Sequence, residues 1–503
     1  MNSIKLRLGL ILFLPFPLCM SNVQAETFQD YLHSARNGIS QLFVPKPAND
    51  SNRVSLQKLS NFQLDTSSVQ ETLPTVGIPK SGRNRLTELS GIGGYEVGLV
   101  EAIQQALQRR PEITQGIASI AGQAANIDVA KAQYYPQISG GVSTADLNSS
   151  ERGQQLLTLS ATQMLYDFGK IKGSVHIEEA KLLQEQAKTL INIDDIAFQT
   201  ANAIVNIKRY QEIVKIADQQ IEGISRIAEI ANLRAKAGIS SQADPVQAQS
   251  DLEAAKSNKI IQETQLRQYQ QKLRTLLGYE VSNVQFQLPD DLVRNAALYT
   301  EPDLVQIPDM MAAQAGIQIA KFQKEQIKSS VYPTINVKAS LSQALNGRNP
   351  NNNKDDGFYN SIMLEASSNF FQGGAVSSRQ RSASYSEEAA KAQANTTYLN
   401  VLDQVRLIRE EIENKQRQIQ ILTARRETTV RTRELYQEQY KLGTRTVVDL
   451  LNSEQAIHSA AQEIETAKYD IYAGLVKYIQ VTGRSRELYH LNNTVIQGFE
   501  IQP

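Results

Sequence analysis

The sequence of 503 residues predicts an α+β membrane protein, internally duplicated, in which each copy joins one β-hairpin to long α-helices and contributes two of four strands to a barrel. Three observations predict it. Landmarks recur in the same order in both halves: Tyr134-Tyr135-Pro136 answers Val331-Tyr332-Pro333, Asp167-Phe168-Gly169 answers Phe371-Gln372-Gly373, and Leu277-Gly278 answers Thr482-Gly483. Gly238 and Gly443, about 205 residues apart, each have an aspartate six residues on, Asp244 and Asp449, marking a repeated unit. Period-two alternation then separates two long runs that hold no proline.

The elements follow in order. Lys5 and Arg7, an apolar run from Leu8 to Leu18, and Val23-Gln24-Ala25 ahead of Glu26 have the layout of a secretory signal peptide over residues 1–25. The single cysteine, Cys19, lies inside it, and Phe16-Pro17-Leu18 lacks the small residue that precedes a lipid-modified cysteine. Cleavage after Ala25 leaves no thiol or disulfide chemistry. Residues 26–95 are rich in Ser, Asn, Gln and Pro and read as a largely irregular arm. Phe28, Tyr31, Leu32, Ala35, Ile39 and Leu42 place one short amphipathic helix in it, packed on its own protein or docked on a partner.

Repeat 1 spans 96–278, with a helix from Glu96 to Gln133, a hairpin over 135–168, a long helix and a return helix. A connector, 279–308, is irregular because of Pro289, Pro302 and Pro308. Repeat 2 spans 309–483, with its hairpin over 332–372, and a tail of 484–503 follows. The strand signal is clearest in repeat 2, where Ile335, Val337, Ala339 and Leu341 alternate with Thr334, Asn336, Lys338 and Ser340. Ile362, Leu364, Ala366 and Phe370 alternate likewise after a polar loop, Asn346 to Gly357. In repeat 1, Leu157, Leu159 and Ala161 are set against Thr158, Ser160 and Thr162. A soluble sandwich alternates in the same way. The aromatics favour a barrel: Tyr134, Tyr135, Tyr166, Phe168, Tyr332, Phe370 and Phe371 cluster at the strand ends nearest the helices, like a membrane-interface girdle.

The runs between Gly169 and Gly238, and between Gly374 and Gly443, are each long enough for a helix of about 100 Å. Along the first, Ile213, Ala217, Ile221, Ile224, Ala228, Ala231 and Ala235 step by threes and fours, a coiled-coil seam.

Composition excludes other classes. With 52 basic and 52 acidic residues the chain has no electrostatic footprint for nucleic acid. His33, His176, His458 and His490 are scattered, with no metal spacing and no nucleophile to serve, so neither an enzyme nor a cofactor is expected, and His176 and His458 read as exposed helix residues. Beyond the signal no apolar stretch approaches the ~20 residues of a membrane-spanning helix, so any crossing is made of strands that contact outer-membrane lipid. Four strands cannot close a barrel, and an open edge cannot sit in lipid. Two chains give a side-chain-filled barrel of about eight strands, and three give about twelve and room for water, so a homotrimer is the smallest conducting assembly.

These residues resemble the TolC-like outer-membrane export ducts of Gram-negative bacteria over roughly residues 95 to 488. The most specific stretch is Tyr440-Lys441-Leu442-Gly443-Thr444-Arg445-Thr446-Val447-Val448-Asp449-Leu450-Leu451-Asn452, which is similar to that family's inner helix-turn-helix at the periplasmic tip. The resemblance implies a trimeric 12-stranded transmembrane barrel continuous with a coiled-coil periplasmic tunnel, closed at the tip and opened by a periplasmic adaptor and an inner-membrane transporter. It implies that Arg445 lies at the closed entrance and bonds to Asp244 and Tyr440, and that Asp449 forms an acidic ring; Asn452 stands where the family often has a second acidic ring. An Arg fork suits a carboxylate and a hydroxyl together. Each exposed pair is worth only about 0 to 1 kcal/mol, which partners can overcome.

Simpler roles stand beside these. Asp244 before Pro245 reads equally as a helix N-cap, Asp449 as a cap or a solvated face, and Gly238 and Gly443 as turn formers at the helix tips. The function implied is a passive export duct, for type I protein secretion or else small-molecule efflux. The rival of another class is a periplasmic helical-hairpin adaptor or scaffold.

Overall fold

The computed structural model describes residues 96–145, 154–289, 294, 296–349, 351–355, 357–368 and 371–501. The signal segment, the arm with its short helix, and Phe370 lie outside the described residues.

The expected helix from Glu96 to Gln133 is instead three pieces. A strand, β1 (Glu96–Gly98), leads into α1 (Leu99–Arg109), and α2 (Pro111–Ala132) starts afresh. Pro111 supplies the reason: it sits at the start of α2, and the residue before it, Arg110, takes an extended conformation that no helix interior accommodates. Two strands follow, β2 (Gln137–Ala145) and β3 (Gln154–Tyr166). Next come α3 (Lys170–Lys236) of 67 residues and α4 (Ala243–Leu277) of 35. After the short β4 (Gln285–Gln287) come α5 (Pro308–Ser329), β5 (Thr334–Asn346), a small pair β6 (Arg348–Asn349) and β7 (Lys354–Asp355), and β8 (Phe358–Ser367). The last long helices are α6 (Ala375–Lys441), again 67 residues, and α7 (Val447–Val481), again 35. A short α8 (Ser485–Leu488) and the pair β9 (Val495–Ile496) and β10 (Phe499–Glu500) end the chain.

The two hairpins join into one antiparallel sheet of order β2-β3-β5-β8. Register fixes its faces. Ser139, Ser160, Ser340 and Ser361 stand opposite one another across all four strands, and the hydroxyls of Ser139 with Ser160 and of Ser340 with Ser361 lie 2.8 Å apart. On the same face Lys338 pairs with Glu365. One residue along, Ile138, Ala161, Ala339 and Ile362 form a row on the opposite face. That face is apolar yet open: Val142, Leu159, Ile362 and Leu364 are 64%, 46%, 80% and 69% exposed. A soluble chain does not leave such a patch uncovered.

Among the described residues three apolar cores hold the rest. The tip core is treated below, and a small one, Ile127, Ala130, Ile171 and Val175, lies where helices meet strands. The largest draws on α1, mid-α3, the ends of α4 and α7, and mid-α6. The connector joins it as well, since β4 pairs in parallel with β1 and Phe286 is 1% exposed beside Val97 at 0%. Apart from β4 the described part of the connector is turns and coil, and its apolar side chains complete the core. The seam along α3 is buried where the spacing places it, at Ile213, Ala217, Ile224, Ala231 and Ala235, with Ile221 and Ala228 partly buried.

Aromatics do gather at the corner between sheet and helices. Phe168 sits edge-on to Tyr166 at 4.7 Å and stacks on Tyr332 at 5.1 Å. Tyr134, Tyr135 and Phe371 are exposed there. Asp167, which the sequence marked only as part of a repeated landmark, fixes this corner by accepting from the backbone N–H groups of Gly169 and Ile171, at 2.9 and 2.6 Å, at the start of α3. Lys170 ties the hairpins together by donating to the Tyr332 carbonyl at 2.6 Å and the Thr334 hydroxyl at 2.8 Å.

Candidate functional site

At the end remote from the sheet, both long helices stop in the same way. Gly238 and Gly443 have φ of 72° and 77°, a conformation natural to glycine. The N–H groups of Gly238 and Ile239 bond back to Ala235 and Arg234, and those of Gly443 and Thr444 to Tyr440 and Gln439. Each is a Schellman turn, which satisfies the final carbonyls of its helix.

The two turns differ in how the next helix starts. Thr446 is the N-cap of α7; its hydroxyl accepts from the Asp449 N–H at 3.3 Å while the Asp449 carboxylate accepts from the Thr446 N–H and hydroxyl at 3.4 and 2.9 Å, a capping box. The Thr446 hydroxyl and N–H, joined by the Arg445 charge, hold the Asp449 carboxyl below its usual range. Thr446→Ala is expected to lower the local stability of this turn by about 1 kcal/mol, read as about fivefold faster hydrogen exchange over Val447–Leu450. Asp244 is no such cap. Helix α4 starts at Ala243, the Ser241 hydroxyl accepts the Ala243 N–H at 3.1 Å, and Asp244 lies in the first turn, where the helix dipole favours its charge.

The tip core unites the two turns from below. Ile224, Ile227 and Ala231 of α3, Ala248, Leu252 and Ala255 of α4, Tyr440 of α6, and Val447, Leu450 and Leu451 of α7 pack together. Within this chain Arg445 does not bond to Asp244 or Tyr440. It donates to Gln439 at 3.0 Å, lies 3.7 Å from the Asp449 carboxylate, and stacks on the Tyr436 ring at 4.6 Å. Arg234 takes the place beside Tyr440, 4.7 Å from its ring centroid, and donates to the Lys441 carbonyl at 3.3 Å. Tyr440 is 4% exposed; burial raises its phenol, and so does the Asp244 charge, which faces it. The structure thus brings Asp244, Tyr440 and Arg234 together and keeps Arg445 with Asp449. Asn452 is exposed one helical turn beyond Asp449 on the same side of α7.

Arg234, Tyr436, Gln439 and Thr446 were not singled out in the sequence. Only Thr446 carried a signal, as the first residue of a Thr-x-x-Asp box. His458 departs from expectation: it is 8% exposed, with Nε2 3.2 Å from the buried Glu454 carboxylate, whose other oxygen lies 3.3 Å from Arg433. An inward-facing acid reaches it from one turn back, which helical spacing alone does not reveal. No described group of three or more His, Cys, Asp or Glu residues could hold a metal, and no described helix is long and apolar enough to cross a membrane.

The model of one protein family, described as outer membrane efflux protein, matches residues 102–279 and 303–484. The chain belongs to the outer membrane efflux protein family. It is 24% identical over 455 residues to outer membrane protein TolC of Salmonella enteritidis, covering 85% of this chain and 89% of that one. It is 21% identical over 329 residues to the alkaline protease secretion protein AprF of Pseudomonas aeruginosa, covering 62% and 66%. Among solved structures, the outer membrane protein VceC of Vibrio cholerae superposes with a TM-score of 0.67 at 17% identity, over 76% of this chain and 96% of that one. This family member is an outer-membrane channel protein and not an enzyme, with helices that extend into the periplasm.

Proposed function

We propose that three copies of this chain, each built from two duplicated halves, close a 12-stranded barrel continuous with a helical periplasmic tunnel. The duct then passes substrate from an inner-membrane transporter and periplasmic adaptor to the outside. One observation carries the proposal: the sheet β2-β3-β5-β8 has an exposed apolar face, a polar face with the serine row, and two edges, β2 and β8, that pair with no other strand among the described residues. In lipid those edges need partners, and a second and third sheet supply them. The polar rows then line a water-filled lumen.

At the tip, the proposed entrance is formed by Asp244, Tyr440, Arg445, Asp449 and Asn452, with Gly238 and Gly443 at the turns. Arg445 is held within its own chain by Gln439, Asp449 and Tyr436, and in the closed trimer it turns toward the Asp244 of a neighbouring subunit. Type I protein secretion is the preferred cargo class, supported by the protease-secretion name of AprF. Small-molecule efflux is the second reading, favoured by the family description.

Arg445→Ala is expected to raise single-channel conductance in planar bilayers. Asp449→Ala should weaken block by multivalent cations, which in the parent persists below the usual carboxylate pH because Thr446 and Arg445 keep Asp449 ionised. Unchanged conductance on losing Arg445 removes that residue from the closed state. Recovery of the parent as a soluble monomer, rather than a detergent-extracted outer-membrane trimer, favours the scaffold and sinks the duct.

A further inference from the structure

The chain does not turn directly from β5 into β8. Between them β6 and β7 form a shorter antiparallel pair, Arg348 opposite Asp355 and Asn349 opposite Lys354, at the end of the sheet farthest from the helices. This pair is tied back onto the sheet. Asn349 is fully buried, and its Nδ2 donates to the carbonyls of Gly357 and Ser342, at 2.8 and 3.1 Å, and to the Ser342 hydroxyl at 3.3 Å. Asn351 donates to the same hydroxyl at 2.9 Å, and its N–H reaches the Asn349 side-chain oxygen at 3.0 Å. Asn352 donates to the Phe358 carbonyl at 2.7 Å. Gly357 allows the fold-back, because a Cβ there would lie 2.7 Å from Asn352 and 2.8 Å from Lys354.

Burial tells which face the pair covers. Ser342 and Ala344 are 3% and 2% exposed, whereas Leu341 and Leu345, pointing the other way, are 41% and 53% exposed. Ser342 shares its face with Lys338 and Ser340, the polar face, and β6 lies against β5 and β3. The segment therefore leans over the polar side of the sheet and leaves the apolar side bare.

We propose that the β6–β7 pair, with Asn351 and Asn352 beside it, is an outer gate: a polar strap, pinned by Asn349 and Asn351 to Ser342, that narrows the extracellular mouth independently of the tip. The proposal rests on the reading that the polar face lines the lumen. Three straps around one mouth admit water and small solutes and hinder bulky ones. Their anchors are a few neutral amide hydrogen bonds, weak enough for outgoing cargo to displace.

The test uses the full chain in the outer membrane of intact cells, in a Cys19→Ser background without other cysteines. Ser340→Cys places a thiol beneath the strap and Lys354→Cys one on its exposed surface. Each is treated from the medium with a small membrane-impermeant maleimide and with a bulky polyethylene-glycol maleimide. At Lys354→Cys both reagents react; at Ser340→Cys only the small one reacts readily. Adding Asn349→Ala and Asn351→Ala speeds the bulky reagent at Ser340→Cys by about tenfold or more, the loss of two or more hydrogen bonds, and leaves the small reagent unchanged. Equal rates of both reagents at Ser340→Cys in the parent overturn the gate, whether or not the double variant folds. If Leu341→Cys reacts from water and Ser340→Cys does not, the barrel reading fails instead.

Discussion

Between about pH 4 and about pH 7 the protein is expected to lose about 4 kcal/mol of stability per chain through one side chain, and Asp194→Asn is expected to remove that loss. Asp194 sits mid-way along α3, 3% exposed in the largest core region. Burial drives its carboxyl up to about 7, opposed by the Arg486 charge and the Ser485 hydroxyl of α8 and reinforced by Asp195 and Asp309. Tyr489, also buried, faces it and has its phenol raised by that burial and by the Asp194 charge. In the unfolded chain the same carboxyl ionises near 3.8.

The folded-state value is the raised one, so the stabilisation is fully present below about pH 4 and is lost as pH rises through about 7. Asparagine cannot ionise, so the variant matches the parent near pH 4 and exceeds it near pH 8. Asp309 is raised too, by burial and then by Asp195, so the parent's curve contains both groups and the difference between the two proteins isolates Asp194. Thermal midpoints of the detergent-solubilised protein across this range measure it. Parallel curves for parent and variant refute the assignment.

The second large effect lies one helical layer above the tip. A Cβ on Gly223 of α3 would fall 1.9 Å from Glu454 Oε1 and 2.7 Å from its Cδ. A flexible acid at the surface could swing away, but this one is buried between His458 and Arg433. Burial pushes the Glu454 carboxyl up, and the His458 hydrogen bond and Arg433 charge together hold it below its usual value. Gly223→Ala displaces it and strands both partners, at a cost of about 3 kcal/mol. Hydrogen exchange over 220–230 and 450–460 should quicken by about a hundredfold. On a Glu454→Ala background the same glycine substitution is expected to cost less than about 0.5 kcal/mol, since the clash has gone. Equal costs on the two backgrounds would show that the effect of Gly223→Ala does not run through Glu454.

These two sites mark what the sequence could and could not disclose. The strands were legible because Ile335 to Leu341 alternate with period two, and the long helices because nothing in Ala375–Leu442 interrupts them. The turn at Gly443 was legible because only a positive φ stops such a helix so abruptly. The break at Arg110-Pro111 was equally visible and was overridden by the helical composition around it. Other features have no local signature. Arg234 lies some two hundred positions from Tyr440, so nothing near either residue tells that the guanidinium covers that ring. Asp194 sits in a run of otherwise ordinary helix, and Glu454 is buried because a glycine on another helix leaves it room. The pairing of β1 with β4 joins two short segments too brief for periodicity to register.

The equality of the helix pairs, 67 with 67 and 35 with 35 residues, has a consequence for how such a chain can change length. The two turns meet, with Arg234 of one finger over Tyr440 of the other and one apolar core joining them. Seven extra residues in α3 alone would push one finger about 10 Å past the other and pull Arg234 away from Tyr440. The return helix would then lack the length to come back. Insertions and deletions in this part of the molecule are therefore tolerated only as matched sets, all four helices altered at the same height, and a lineage in which the periplasmic span grows or shrinks must do so in concerted steps.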